Sequence, residues 1–128
     1  PENAVVACHV FGPLSTRKCL SDPETRSRIN RFGGDLVNEL VRAPSIINFM
    51  RLSRQFAEHV GLITEKVRNI LNAADETRVM CSMPMFGECA FTITDEDNLW
   101  RILQVFRKEG SGGHTVVSKV DHEGARLQ

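Results

Sequence analysis

An α+β class is predicted for this chain from three observations. A nearly continuous apolar run opens it at residues 4–11. Three stretches with apolar residues at three- and four-residue steps follow in succession. Two short apolar runs around a Pro84/Gly87 bend, a fourth helical pattern and a closing valine-rich run complete the chain. The resulting order is strand, helices, strand, strand, helix, strand. It fits a ferredoxin-like split βαβ sheet of four antiparallel strands with helices on one face and extra helices in the first crossover.

Each element has a local cause. Residues 4–11 (Val5, Val6, Ala7, Cys8, Val10 and Phe11 among them) suit a strand buried on both faces or covered by helices, and Gly12-Pro13 ends it. Ser15-Thr16 before Arg17-Lys18-Cys19-Leu20 reads as a capped helical turn, because a hydroxyl satisfies amides that a first turn leaves free. Ser21-Asp22-Pro23 breaks it. Over residues 24–43, Ile29, Phe32, Leu36, Val37, Leu40 and Val41 form one apolar helix face. Gly33-Gly34 interrupts that face, and close packing by a neighbour explains the pair better than a kink does.

Pro44-Ser45 separates a second helix with the stripe Ile46, Phe49, Met50, Phe56 and Val60, stopped by Gly61. Thr64 caps a third, whose edge is Val67, Ile70 and Leu71, with 72–77 leading out through polar residues. Residues 80–93 form strand, tight loop and strand, since Pro84 lacks a donor and Gly87 can take a positive φ or admit a close neighbour. Thr94-Asp95-Glu96-Asp97 opens a helix carrying Leu99, Ile102, Leu103 and Phe106. The turn at 109–113 leads to a last strand over 114–121, and 123–125 form a closing turn or tail.

At 128 residues the chain is one domain. Sixteen basic and sixteen acidic side chains cancel without long blocks, which leaves no footprint for nucleic acid or an anionic membrane. No apolar run approaches the roughly 18 residues needed to span a bilayer, and no signal segment opens the chain, so a soluble, cytoplasmic protein is expected. The first residue is Pro1, not Met, which suggests a processed product or a piece of a longer polypeptide. Cys8, Cys19, Cys81 and Cys89 have no C-x2-C spacing and read as structural thiols of a reducing compartment. Adjacent Cys8 and His9 on a strand face opposite ways and cannot easily share a metal.

No nucleophile elbow surrounds any serine, the histidines His9, His59, His114 and His122 are scattered, and neither a P-loop nor G-x-G-x-x-G occurs. Two features remain. Ser15, Thr16, Arg17 and Lys18 gather hydroxyls and cations at a helix start, which is either a site for carboxylate or phosphate or an ordinary cap with solvated cations. Ser82, Met83, Pro84, Met85, Phe86 and Gly87 form a loop whose exposed apolar side chains call for a partner surface, unless it is a plain hairpin.

At these features the chain resembles the C-terminal half of the galactokinase, homoserine kinase, mevalonate kinase and phosphomevalonate kinase superfamily, the GHMP kinases, and within it the archaeal pantoate kinases. The family's Gly-Pro strand end and Thr-plus-basic turn are similar to Gly12-Pro13-Leu14-Ser15-Thr16-Arg17-Lys18. Its Phe-Met-x-Leu-Ser-x-x-Phe-Ala pattern is similar to residues 49–57, and its Ser-Met-x-Met-x-Gly-Glu-x-x-Phe hairpin to residues 82–91. Most superfamily members have a run of glycines in that loop, where this chain keeps only Gly87.

The resemblance implies a two-domain phosphotransferase that uses ATP and Mg to phosphorylate a hydroxyl of a small hydroxy acid held between its halves. For pantoate the product would be 4-phosphopantoate, in coenzyme A biosynthesis. Residues 1–128 would be the C-terminal domain, inactive alone, with ATP and Mg bound mainly by the N-terminal kinase domain, whose glycine-serine loop is absent here. Ser15, Thr16, Arg17 and Lys18 would meet the acceptor, and the 82–87 loop would close over the ligands. A homodimer is left open. The rival reading is a non-catalytic ferredoxin-like module for small-molecule binding or dimerisation, which fold alone does not distinguish.

Overall fold

The structure is a computed structural model that describes residues 3–14, 21–85 and 87–125. Among these, the elements in order are β1 (Ala4–Pro13), α1 (Pro23–Arg42), α2 (Ile46–Val60), α3 (Glu65–Glu76), β2 (Gly87–Asp95), α4 (Glu96–Glu109) and β3 (His114–Lys119). The class is α+β, with a three-stranded antiparallel sheet in the order β2-β1-β3. β1 is central, which accounts for its dense apolar run.

Helix boundaries follow their caps. Asp22 accepts from the Glu24 amide and Pro23 occupies the first helical position, where its missing N–H costs nothing. The expected break at 21–23 is therefore the start of α1. Ser45 accepts from Asn48, Thr64 from Val67 and Asp95 from Asn98, while Gly61 ends α2 at φ 75°. Asp95 is both the last residue of β2 and the cap of α4, so strand passes into helix without a loop. Residues 72–76, expected as a polar exit, continue α3 because Ala74 is fully buried. After α3 the chain reverses through Arg78 at φ 66°, a left-handed conformation uncommon outside glycine.

The core lies where α3 and α4 cover β1 and β2. Ala7 and Ala90 bring the strands close, and Val67, Ile70, Leu71, Ile102 and Phe106 fill the space above them. His9, on the same strand as Ala7, is buried and satisfied: one ring nitrogen bonds the Gly110 carbonyl at 2.6 Å and the other the Thr115 hydroxyl at 2.8 Å. The thiols of Cys81 and Cys89 are buried, and burial pushes both up to about 12, as inert protonated thiols.

The first arm of the expected hairpin is, among the described residues, one bridge: Ser82 and Phe91 exchange backbone hydrogen bonds of 2.9 and 2.8 Å. The ladder does not extend because the Thr92 hydroxyl takes the Met80 carbonyl at 2.7 Å on one side, and Pro84 has no donor to offer on the other. β3 ends at Lys119 rather than 121.

Gly33 does serve close packing, since a Cβ there would lie 3.2 Å from the Phe56 ring, whereas one on Gly34 would meet nothing. Gly34→Ala is therefore expected to stabilise the domain by about 1 kcal/mol and Gly33→Ala by less, as read from urea midpoints. Equal gains would show that Phe56 yields freely.

Candidate functional site

The end of β1 and the start of β2 meet at one end of the sheet. β1 runs past its expected stop at residue 11, with a register shift between Val10 and Gly12, and its last residue, Pro13, sits opposite Gly87, the first of β2. The extra residue of the bulge re-aims the strand end. Lys66, in the first turn of α3, holds its ammonium 5.5 Å from the Phe11 ring centroid, which adds a cation near this end of β1 that the sequence pattern did not single out. The basic turn Ser15, Thr16, Arg17 and Lys18 lies outside the described residues, as does Phe86.

The 82–87 loop is held from behind. Arg54 of α2 is largely buried and bonds both carboxylate oxygens of Asp75 at 2.9 and 3.3 Å and the Cys81 carbonyl at 3.0 Å. One guanidinium thus ties the end of α3 to the segment leading into the loop. Glu58 pairs with Arg68 and Arg54, and these two hold its carboxyl below the usual range, Arg68 foremost.

The expectation that the loop's apolar side chains are exposed is corrected here. Ser82 and Met83 are buried, and Pro84 and Met85 are half-buried, because the α1–α2 hairpin stands beside them. The Ser82 hydroxyl has no hydrogen-bond partner among the described residues. Gly87 does not take a positive φ, and an added Cβ would meet only ordinary contacts.

Between hairpin and loop runs a groove of about 430 Å³, lined by α1, by Phe49, Leu52 and Phe56 of α2, and by Met83, Pro84, Met85 and Phe91. Ser53 is its only polar side chain among the described residues. Ser53 belongs to the Leu-Ser-x-x-Phe-Ala pattern, the one signal in sequence that could have pointed to it. No three His, Cys, Asp or Glu side chains among the described residues converge as a metal site would require. Among the described residues the groove lining has no charged side chain, so the groove itself does not fit Mg-ATP.

No family model matches this sequence. The fold is shared with a solved protein described as a phosphotransferase related to the CoA biosynthesis pathway, with a TM-score of 0.80 and 22% identity over 94% of this chain and 38% of that one. The architecture is thus that of a domain found within a phosphotransferase. In sequence, the chain is 30% identical over 102 residues to the pantoate kinase of Methanocaldococcus jannaschii, covering 80% of this chain and 37% of that protein. It is 30% identical over 83 residues to the pantoate kinase of Methanospirillum hungatei JF-1, covering 65% of this chain and 27% of that protein. The chain is homologous to a segment of the pantoate kinases, and it spans well under half the length of these relatives.

Proposed function

We propose that this chain is the C-terminal domain of an ATP-dependent pantoate kinase, contributing the acceptor wall of a cleft in which the γ-phosphoryl group passes to a hydroxyl of pantoate. The relatives suggest the reaction. The observation that carries the site is the pairing of Pro13 with Gly87. Thr16 is three residues beyond Pro13, so chain length keeps it within about 11 Å of that residue. The Thr-basic turn and the 82–87 loop can therefore border one cavity.

In this reading Arg17 or Lys18 receives the acceptor carboxylate, and Thr16 orients it through its hydroxyl. Nucleotide and Mg are assigned to the part of the kinase outside this chain. At this end of the sheet the described residues include Glu88, opposite Gly12, and Lys66, near Phe11; this reading gives neither a proton-transfer role, because positioning and charge stabilisation carry most of the catalysis in phosphoryl transfer. The Ser82 bridge is read as the stub of the fourth strand of a ferredoxin-like sheet. Among the described residues no helix is long and apolar enough to cross a membrane, and we place the enzyme in the cytosol of an archaeon.

The test is an assay of the complete kinase with ATP against pantoate, mevalonate and homoserine, with products identified by mass spectrometry. Phosphorylation of pantoate alone is expected. Transfer only to another acceptor would overturn the substrate, and transfer to none of the three would overturn the kinase reading.

A further inference from the structure

Helix α1 carries more apolar surface than its packing uses. Ile29 and Leu36 are buried, yet Val37 and Val41 of the same stripe are 59% and 72% exposed. Across the turn into α2, Ile47 is 80% and Phe49 37% exposed. The sequence periodicity put Val37 and Val41 on one apolar face with Ile29 and Leu36, and the structure leaves them exposed. Val37 and Phe49 also line the apolar groove, so rim and groove form one surface. From Ile29 to Val41 the stripe advances about 18 Å at 1.5 Å per residue. Apolar surface of this extent marks an interaction site.

The lining decides the kind of occupant. Among the described residues, the groove lining would offer a hydroxy acid or nucleotide only the Ser53 hydroxyl, and no charged partner, in exchange for its hydration. Apolar side chains lose nothing there. The stripe is about three helical turns long, and a trough walled by a helical hairpin on one side and the 82–87 loop on the other is a surface into which a further helix can pack its ridge of side chains. As for the source of such a helix, the chain covers only 37% and 38% of the pantoate kinase and the solved phosphotransferase it resembles, so the larger part of each lies outside the matched segment and is available to supply one.

We infer that the α1–α2 groove, with its rim of Val37, Val41, Ile47 and Phe49, seats an apolar helix from the other domain of the kinase. The inference rests on the two-domain kinase reading and deepens it: this face holds the halves together, and the Pro13–Gly87 end meets the ligand.

The test measures thiol accessibility. Val41→Cys and Ile47→Cys are made singly in the 128-residue chain and in a chimera where this chain replaces the matching segment of the Methanocaldococcus jannaschii pantoate kinase. Maleimide rates are read site by site by peptide mass spectrometry, with exposed Asn72→Cys as control. Both rim thiols are expected to react at least tenfold more slowly in the chimera, and the control equally in both proteins. Equal rim rates in a folded chimera overturn the inference. A second arm needs no chimera: sedimentation of the 128-residue chain alone. A monomer, unchanged by Val37→Asp, supports the inference, whereas a dimer that Val37→Asp returns to monomer means that a second copy fills the groove and overturns it. Phosphorylation of pantoate is scored separately. A protected rim in a chimera inactive on every acceptor would sink the functional reading alone, and an active chimera with an unprotected rim would sink the docking alone.

Discussion

Replacing Gly110 with alanine is expected to destabilise the domain by about 3 kcal/mol, the upper range for forcing one methyl group into a filled interior. The added carbon would overlap both the His9 ring and the Phe106 carbonyl oxygen. Neither is free to move. The ring is fixed by the Gly110 carbonyl at 2.6 Å, the Thr115 hydroxyl at 2.8 Å and the Phe11 and Phe106 rings at 5.2 and 5.3 Å. Since a carbonyl oxygen only accepts, Nε2 carries a proton, and turning the ring would leave that carbonyl unpaired in a buried position. The Phe106 carbonyl accepts the Gly110 amide at 2.8 Å as the last bond of α4. Relief would require lifting α4 from β1 and exposing Ile102 and Phe106, both wholly buried. Gly112→Ala is the control: its φ is 88° but its surroundings are open, so the cost is only that of a left-handed residue, about 1 to 2 kcal/mol. Urea midpoints of the two variants decide the matter, and a smaller loss at Gly110 than at Gly112 would show that the His9 ring can step aside.

That contact also shows where local sequence reading stops. The run Gly110-Ser111-Gly112-Gly113 reads as a flexible turn, and it is a turn. The demand for glycine at 110 and 113 comes from His9, a hundred residues away, and no window of neighbouring residues contains that information. Elements whose causes are local were legible: the cap Thr64, the helix start at 94–97, the stop at Gly61, and the stripes Val67/Ile70/Leu71 and Ile102/Phe106. Periodicity marks a face as apolar without naming what covers it: Val37 and Val41 share the stripe of Ile29 and Leu36 yet are exposed. The 82–87 loop was read as exposed because its burial depends on the α1–α2 hairpin and on the Arg54 tie to Cys81, both remote in sequence. The nearness of Gly12-Pro13 to Gly87 was likewise invisible until β1 and β2 were in register.

On the proposed reading, Thr16→Ala and Gly87→Val in the complete kinase are each expected to lower kcat/KM for pantoate by about tenfold to a hundredfold, the scale on which small misplacements act when catalysis is alignment. The structure makes Gly87→Val informative, because it separates activity from stability. Gly87 has no positive φ, and a Cβ there would lie 3.8 Å from Pro84 Cγ and 3.9 Å from Cys89 Cβ, both ordinary contacts. A branched residue suits the first position of a strand, so the unfolding midpoint should move by less than about 1 kcal/mol while turnover falls. A structural glycine would show the opposite pattern, with stability lost first. At residue 16 the diagnostic is rescue: Thr16→Ser keeps a hydroxyl and should restore most of the rate that Thr16→Ala removes. Arg17→Ala and Lys18→Ala then report on the acceptor carboxylate, and whichever cation receives it should raise KM for pantoate more than it lowers kcat. Wild-type turnover in both Thr16→Ala and Gly87→Val would remove the turn and the loop from the site, whatever the groove behind them binds.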